Sequence, residues 1–279
     1  MKKKYSILVN TCDSYSDAWP MFFHLLMENW VGDFPKIYIN TESNEYISEV
    51  TGIDIVTLNH KDTESWGDRL LKCLEKIPDE YILMMLEDFY YENTIKTSII
   101  DDCVLRMEED KNIMAFELVP CGEVSENPSI KRPEPYQGFA ERRRFSTFRL
   151  VACPTLWRRS DLIRVTMKND NPWEWEYFGS FRTWFYYKKI YSWKSKEDRI
   201  FDYDIDHGGA IHRGKWVGYK LMELEKKYDF KLDYGNREVE NDWMKNPAMT
   251  SVPPVYKRIG SVFRNRTKMV KEIIRGAFL

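Results

Sequence analysis

Long apolar runs are missing from this chain. No stretch approaches the ~20 apolar residues needed to span a bilayer. The run Ile7-Leu8-Val9, behind the basic start Met1-Lys2-Lys3-Lys4, stops at Asn10, too short for the core of a secretory signal. Cysteine is scarce: Cys12, Cys73, Cys103, Cys121 and Cys153 are odd in number, widely spaced and without a CxxC pair. That spacing excludes a zinc ribbon and a disulfide framework and leaves reduced thiols in the cytoplasm as the expectation. A charge excess is also lacking. The formal net charge is -2, so the molecule has no footprint for nucleic acid, and none is expected as a partner. No glycine spacing fits a Walker loop or a dinucleotide fingerprint, and no internal repeat is visible.

What the chain has in quantity is aromatic side chains, 15% of residues, with ten Trp and seventeen Tyr. They serve a large core or a sugar-handling cleft, where rings stack on the apolar faces of sugars, and the two uses are compatible. With 279 residues, 43% of them hydrophobic, the chain can bury the core of one large α/β domain or of a two-lobed unit.

The apolar run 5–10 (YSILVN) reads as a buried parallel strand. Trp19, Phe22, Phe23, Leu26, Met27 and Trp30 recur at helical spacing, with Pro20 suited to a first turn. Strands are expected over 34–40, 53–58 and 81–86 (YILMML), with helices over 45–50 and 66–77 between them. This β-α-β-α-β-α-β order predicts a mostly parallel sheet with helices on its faces. Ligands of such sheets bind beyond the carboxyl ends of the strands, which singles out Thr11, Cys12 and Asp13, then Asn59 and His60, then Glu87 and Asp88. Further on, 95–109 reads as a helix, 113–118 as a strand, 121–145 as a loop, 148–152 as a strand and 156–167 as a helix.

Four segments carry chemistry. In Leu86-Glu87-Asp88-Phe89, two adjacent carboxylates close the most apolar strand. They could hold a divalent cation against a diphosphate, or Asp88 could cap a helix beside a solvated Glu87. In residues 171–180 (NPWEWEYFGS), Trp173 and Trp175 suit an acceptor sugar, and Glu174 or Glu176, beside bulky rings, suits a general base with a raised pKa. The same residues also spell a helix start, with Asn171 as cap and Pro172 behind it. In 207–216 (HGGAIHRGKW), the glycines allow close approach of backbone to ligand, His212 could complete a metal site, and Arg213 and Lys215 could hold phosphate. A plain glycine turn is the other reading. In 257–275, seven Lys or Arg face one acid, Glu272, and apolar residues gather on one helical face. A basic amphipathic helix reads as an element for an anionic membrane surface or as a helix docked on the protein.

Segments 6–16, 19–30, 65–70, 81–89, 156–159 and 171–180 together resemble a bacterial glycosyltransferase family with a GT-A-like fold, found among the enzymes of lipopolysaccharide and capsular polysaccharide synthesis. The resemblance implies an α/β fold with a Rossmann-type, mostly parallel sheet. It implies a donor-binding half at 1–120, an acceptor-binding half at 121–250 and a basic tail at 251–279 at the inner face of the cell membrane. It also implies a nucleotide-sugar donor, UDP-sugar favoured, a glycan or lipid-linked oligosaccharide as acceptor, and Mn²⁺ or Mg²⁺. Asp88 matches the last acid of the family's DxD motif, and Leu86 stands where the first would be, so the motif is a variant. Thr11 and Asp13 match the loop that holds the nucleoside. Trp66 and Arg69 match a segment near base or diphosphate, and Glu176 or Glu174 matches the acceptor-activating carboxylate. A nucleotidyltransferase acting on sugar phosphates, or an inactive carbohydrate-binding or membrane-scaffold protein, stands as the alternative.

Overall fold

The computed structural model describes residues 3–47, 53–61, 65–120, 136–203, 209–212, 214–228, 234–235, 237–240 and 255–279, with side chains from 265 onward in the last segment. The N-terminal strands follow from the apolar runs. β1 (Tyr5–Asn10), β2 (Ile37–Thr41) and β4 (Tyr81–Met85) are buried along their whole length, and β3 (Ile55–Asn59) is half-buried at the sheet edge. Burial on both faces is what a parallel sheet covered by helices demands. Alternate residues feed two cores: Ile7, Val9, Leu83 and Met85 face one side, and Leu8, Ile82 and Met84 the other.

The first core is covered by α1 (Trp19–Asn29) and α3 (Thr97–Glu109). The second is covered by α2 (Trp66–Lys76), α4 (Arg159–Val165) and α5 (Pro172–Arg182). Ser65 caps α2 by accepting the Asp68 N–H at 3.1 Å, and Asn171 caps α5 by accepting the Glu174 N–H at 2.9 Å. Both satisfy a donor that the first helical turn leaves open.

The second half of the chain adds β5 (Ile113–Glu117), β6 (Phe139–Glu141), β7 (Thr155–Arg158) and β8 (Lys189–Trp193). One eight-stranded sheet results, in the order β3-β2-β1-β4-β7-β5-β8-β6, so residue 120 falls within the span of a continuous sheet. β7 runs antiparallel between β4 and β5, and β6 antiparallel to β8; the other pairs are parallel. The chain therefore adopts the expected α/β arrangement, a mostly parallel sheet flanked by helices. A small sheet of β9 (Ile211–His212), β10 (Lys215–Val217) and β11 (Val239–Glu240) follows, with α6 (Gly218–Tyr228) after β10 and α7 (Val255–Gly276) at the end.

Four local expectations are corrected. Residues 45–47 are not helical, and 48–50 lie outside the described residues. Segment 148–152 is no strand, because α5 side chains take its backbone donors: Ser180 Oγ accepts Leu150 N–H at 2.9 Å and Glu176 Oε1 accepts Ala152 N–H at 2.6 Å. The strand comes later, at β7, and absorbs the start of the helix expected at 156–167. Leu156 and Trp157 point into opposite cores, a period of two rather than of 3.6. Finally, β6 lies inside the stretch expected as loop.

Candidate functional site

β1 sends its chain to β2 on one side and pairs with β4 on the other. This reversal of strand order opens a crevice at the carboxyl ends of β1 and β4. Glu87 and Asp88 emerge there after β4, opposite the 3₁₀ turn Asp13–Ala18 that follows β1. The small sheet closes over them. Ala210 N–H donates to the Asp88 carbonyl at 3.1 Å. Gly209 sits at φ +90°, where a Cβ would stand 2.5 Å from that same carbonyl, so the close backbone approach seen at this glycine is to the chain itself, at the acidic pair.

The two carboxylates differ in commitment. Trp19 Nε1 donates to Thr11 Oγ1 at 2.9 Å, and the Thr11 hydroxyl in turn donates to Glu87. Asp88 Oδ1 is buried without a hydrogen-bond partner. Burial pushes both carboxyls above their ordinary range, and the Asp88 charge pushes Glu87 further. The Thr11 hydroxyl on Glu87, backbone hydrogen bonds and the Arg237 guanidinium act in the opposite direction.

Folded pKa values above the unfolded ones favour the native state while the carboxyls are protonated. That contribution is lost as pH rises from the ordinary carboxyl range near 4 towards neutrality. Metal-free protein should therefore lose stability over this window, and Asp88→Asn should lose less. The variant is expected to be more stable than the parent by about 1 kcal/mol near pH 7.5 and to match it near pH 4. Thermal unfolding in a chelator at the two pH values measures this, and a pH-independent difference would contradict the burial of the pair.

Arg237 is the principal group that sequence reading missed. It grips both Asp17 oxygens at 2.9 Å and donates to Ser14 O at 2.7 Å and Gly214 O at 2.9 Å. Its guanidinium lies over Tyr15 at 4.3 Å and Trp216 at 5.6 Å. A cleft of about 420 Å³ opens beside it, lined by Ser14, Ser16, Asp17, Gly214, Gly235 and Arg237. A separation of 220 residues from Asp17 left no local signal for it. The buried ion pair between Glu117, at the end of β5, and Arg142, 2.7 Å apart, was missed likewise.

The expected donor-side residues converge, but largely on one another. Asp13 accepts the backbone N–H groups of Glu42, Ser43 and Asn44, at 3.1, 3.0 and 3.0 Å, and the Ser43 hydroxyl. Burial alone would raise its carboxyl, but these bonds hold it below the usual value. Arg69 pairs with Glu42 and donates to Thr11 O at 3.1 Å. Trp66 is half-buried, its ring 5.7 Å from Trp175.

On α5, the expectation for Trp175 is corrected: it is fully buried, packed on Trp157 at 5.8 Å and donating to Thr166 Oγ1 at 3.1 Å, so it cannot meet a sugar. Glu174 is ion-paired to Lys268 of α7. Trp173 is 78% exposed, one helical turn before Glu176 on the same face. Glu176 is half-buried, and its carboxyl is raised by burial and then by the charge of Glu117, against the Ala152 N–H bond. His212 is half-buried in β9, two residues beyond the Ala210 contact with Asp88. Lys215 pairs with Glu238 at 2.7 Å, and His207 and Arg213 lie outside the described residues.

Among the described residues no group of three or more His, Cys, Asp or Glu is placed to hold a metal ion. A pair of carboxylates with one orphaned buried oxygen still suits Mg²⁺ or Mn²⁺. Such cations use one or two carboxylates and complete their octahedron with phosphate oxygens and water.

No family model matches this chain, and no curated protein does. Among solved structures, it is similar to Staphylococcus aureus TarS 1–349 in complex with UDP. The TM-score is 0.45, with 9% identity over 99% of this chain and 90% of that one. The complex of the same protein with UDP-GlcNAc gives 0.43, 10%, 99% and 90%. A CMP:2-keto-3-deoxy-manno-octonic acid synthetase complexed with CTP gives 0.40, 12%, 70% and 90%. Against two other TarS structures the chain spans 59% and 36% of their length.

Proposed function

We propose that the protein transfers a sugar from a nucleotide-sugar donor, a UDP-sugar by preference, to a hydroxyl of a glycan held at a membrane. The observation that carries this reading is the acidic pair at the β1/β4 crevice, where one carboxylate is engaged by Thr11 and the other offers an unpartnered buried oxygen. Asp88 first, Glu87 second, would hold Mn²⁺ or Mg²⁺, with His212 as a candidate further ligand. When bound, the cation offsets negative charge on a diphosphate leaving group.

The chain's own residues do the rest. Thr11 orients Glu87, and the Arg237–Asp17 clasp fixes the loop after β1 beside the crevice. Trp173 offers an exposed ring to an acceptor sugar. Glu176, pinned through one oxygen by Ala152 N–H, takes the acceptor hydroxyl proton with the other. The acceptor oxygen then bonds to the anomeric carbon as the bond to the diphosphate breaks, inverting the configuration.

A thermal-unfolding panel of UDP-, GDP-, CMP- and dTDP-sugars, each with and without Mn²⁺, tests the donor class. A UDP-sugar with Mn²⁺ at roughly a hundredfold excess over its Kd should stabilise by about 2.7 kcal/mol, a rise of roughly 5–10 °C in Tm. Stabilisation by a nucleoside triphosphate with a sugar phosphate, and by no nucleotide sugar, would overturn the proposal in favour of nucleotidyl transfer.

A further inference from the structure

Two loops that the sequence left without a role meet on one side of α5. Arg143, Arg144, Phe145 and Phe148 are exposed in the segment between β6 and β7, and Phe185 and Tyr187 are exposed in the turn after α5. They form one patch: Phe145 lies 5.4 Å from Trp184 and 6.3 Å from Phe185, and Arg144 stands 4.7 Å over the Tyr187 ring. Phe145 is 61% and Tyr187 71% exposed, which is unusual for large rings gathered in one place. Neither 143–148 nor 184–187 contains an acid.

Ring contacts lead from the patch to α7 beneath the surface, through buried Phe178 and through Lys268, which is paired with Glu174. Phe148 meets Tyr177 at 5.5 Å, Tyr177 meets Phe178 at 5.0 Å, and Lys268 of α7 stands 4.5 Å over Phe178. α7 is docked rather than free, yet it keeps an outward side. Val270, Ile274 and Phe278 fall at four-residue steps along one exposed stripe. Arg266, Lys271 and Arg275 are exposed beside it, and Glu272, the one acid of 265–279, is turned inward and buried.

We infer that residues 143–148 and the turn 184–187, together with the outward side of α7, form the docking face for an anionic lipid bilayer. Exposed rings interleaved with arginine are the composition that settles at a headgroup boundary. The excess of cations complements anionic headgroups. A second copy of the chain fits poorly, since a two-fold contact would set Arg143 and Arg144 against themselves. The face docks the molecule through the helix beside α5, the helix that carries Trp173 and Glu176. The inference rests on the proposed membrane-held acceptor only for its purpose, because lipid binding is read without any sugar transfer.

The test is co-sedimentation of the full chain with phosphatidylcholine vesicles, with and without phosphatidylglycerol. Binding is expected to the anionic vesicles alone. Arg143→Gln with Arg144→Gln should weaken it about thirty-fold, the equivalent of two surface charges. Phe145→Ser with Phe148→Ser, and separately Val270→Ser with Ile274→Ser, should weaken it at unchanged Tm. No binding by the parent chain, equal binding to neutral vesicles, or unchanged binding in all three variants would overturn the inference. A dimer in sedimentation equilibrium that the arginine variant dissociates would assign the face to a second copy instead. If vesicle binding behaves as expected while no nucleotide sugar stabilises the protein, the docking face stands and the transferase reading falls.

Discussion

Glu176→Gln is expected to lower kcat for sugar transfer by about 10²–10⁴-fold, the usual contribution of a positioned general base. Glutamine can keep the bond that Ala152 N–H makes to Glu176 Oε1 at 2.6 Å, so α5 and segment 150–153 should stay in place. What is lost is the second oxygen's ability to take a proton. Because burial, and then the Glu117 charge, raise the Glu176 carboxyl above the ordinary 4.5, the acid limb of kcat/KM should lie above that value, and it should vanish in the variant. Asp88→Asn should cost on the order of 10²-fold through a different route, by weakening charge compensation at the diphosphate. The two variants separate in a titration with Mn²⁺: a higher requirement is expected for Asp88→Asn and none for Glu176→Gln. Near-normal turnover in both would remove the proposed roles together.

The largest effect on stability is expected where α7 meets α5. Arg182 is fully buried; it donates to both Asp170 oxygens, at 2.8 and 2.7 Å, and to Val165 O at 2.9 Å. Its Nε lies 2.7 Å from Glu272 Oε2 but off the N–H axis, an ion pair rather than a straight hydrogen bond. Arg275 satisfies the other Glu272 oxygen at 2.6 Å. Gly276 packs so closely on the Arg182 carbonyl that a Cβ would stand 2.0 Å from it. Glu272→Ala removes a partner from a buried cation, and breaking such a pair costs about 3 kcal/mol or more. A fall in Tm of roughly 10 °C is expected. Glu272→Leu combined with Arg182→Met should be no milder than Glu272→Ala, since it strips the buried Asp170 carboxylate of its guanidinium. Loss of less than 2 °C in Glu272→Ala, near the noise for about 0.5 kcal/mol, would mean that the pair does not hold the helix.

Strong local patterns were legible in the sequence, and non-local pairings were not. The runs at 5–10 and 81–86 are strands because they are too apolar to face water on either side. The helices at α1 and α2 are readable from 3.6-residue spacing. Segment 150–153 has the same apolar content as a strand but finds its partners on α5, which only the folded chain brings near. Asp88 was legible from its position after an apolar strand. What distinguishes it from Glu87 is the hydroxyl of Thr11, 76 positions away in sequence but adjacent across the β1–β4 pairing. Trp175 shows the reverse error: rings beside acids suggested a sugar platform, yet α5 turns Trp175 into the core and leaves Trp173 outside. Of the two readings of the basic tail, the docked helix is the one seen: α7 packs on α5 and leaves Val270 and Ile274 exposed.

The clasp between Arg237 and Asp17 has a consequence in time as well as in space. Asp17 leaves the ribosome 220 residues before its partner, and at the usual 5–20 residues per second that gap lasts about 10–40 s. The strands that carry the acidic pair can therefore assemble well before the small sheet arrives to cover it. During that interval the carboxylates face water, with ordinary acidity and no arginine beside the loop. The crevice is thus clasped only once residue 237 has been made, after the strands that frame it can already have paired.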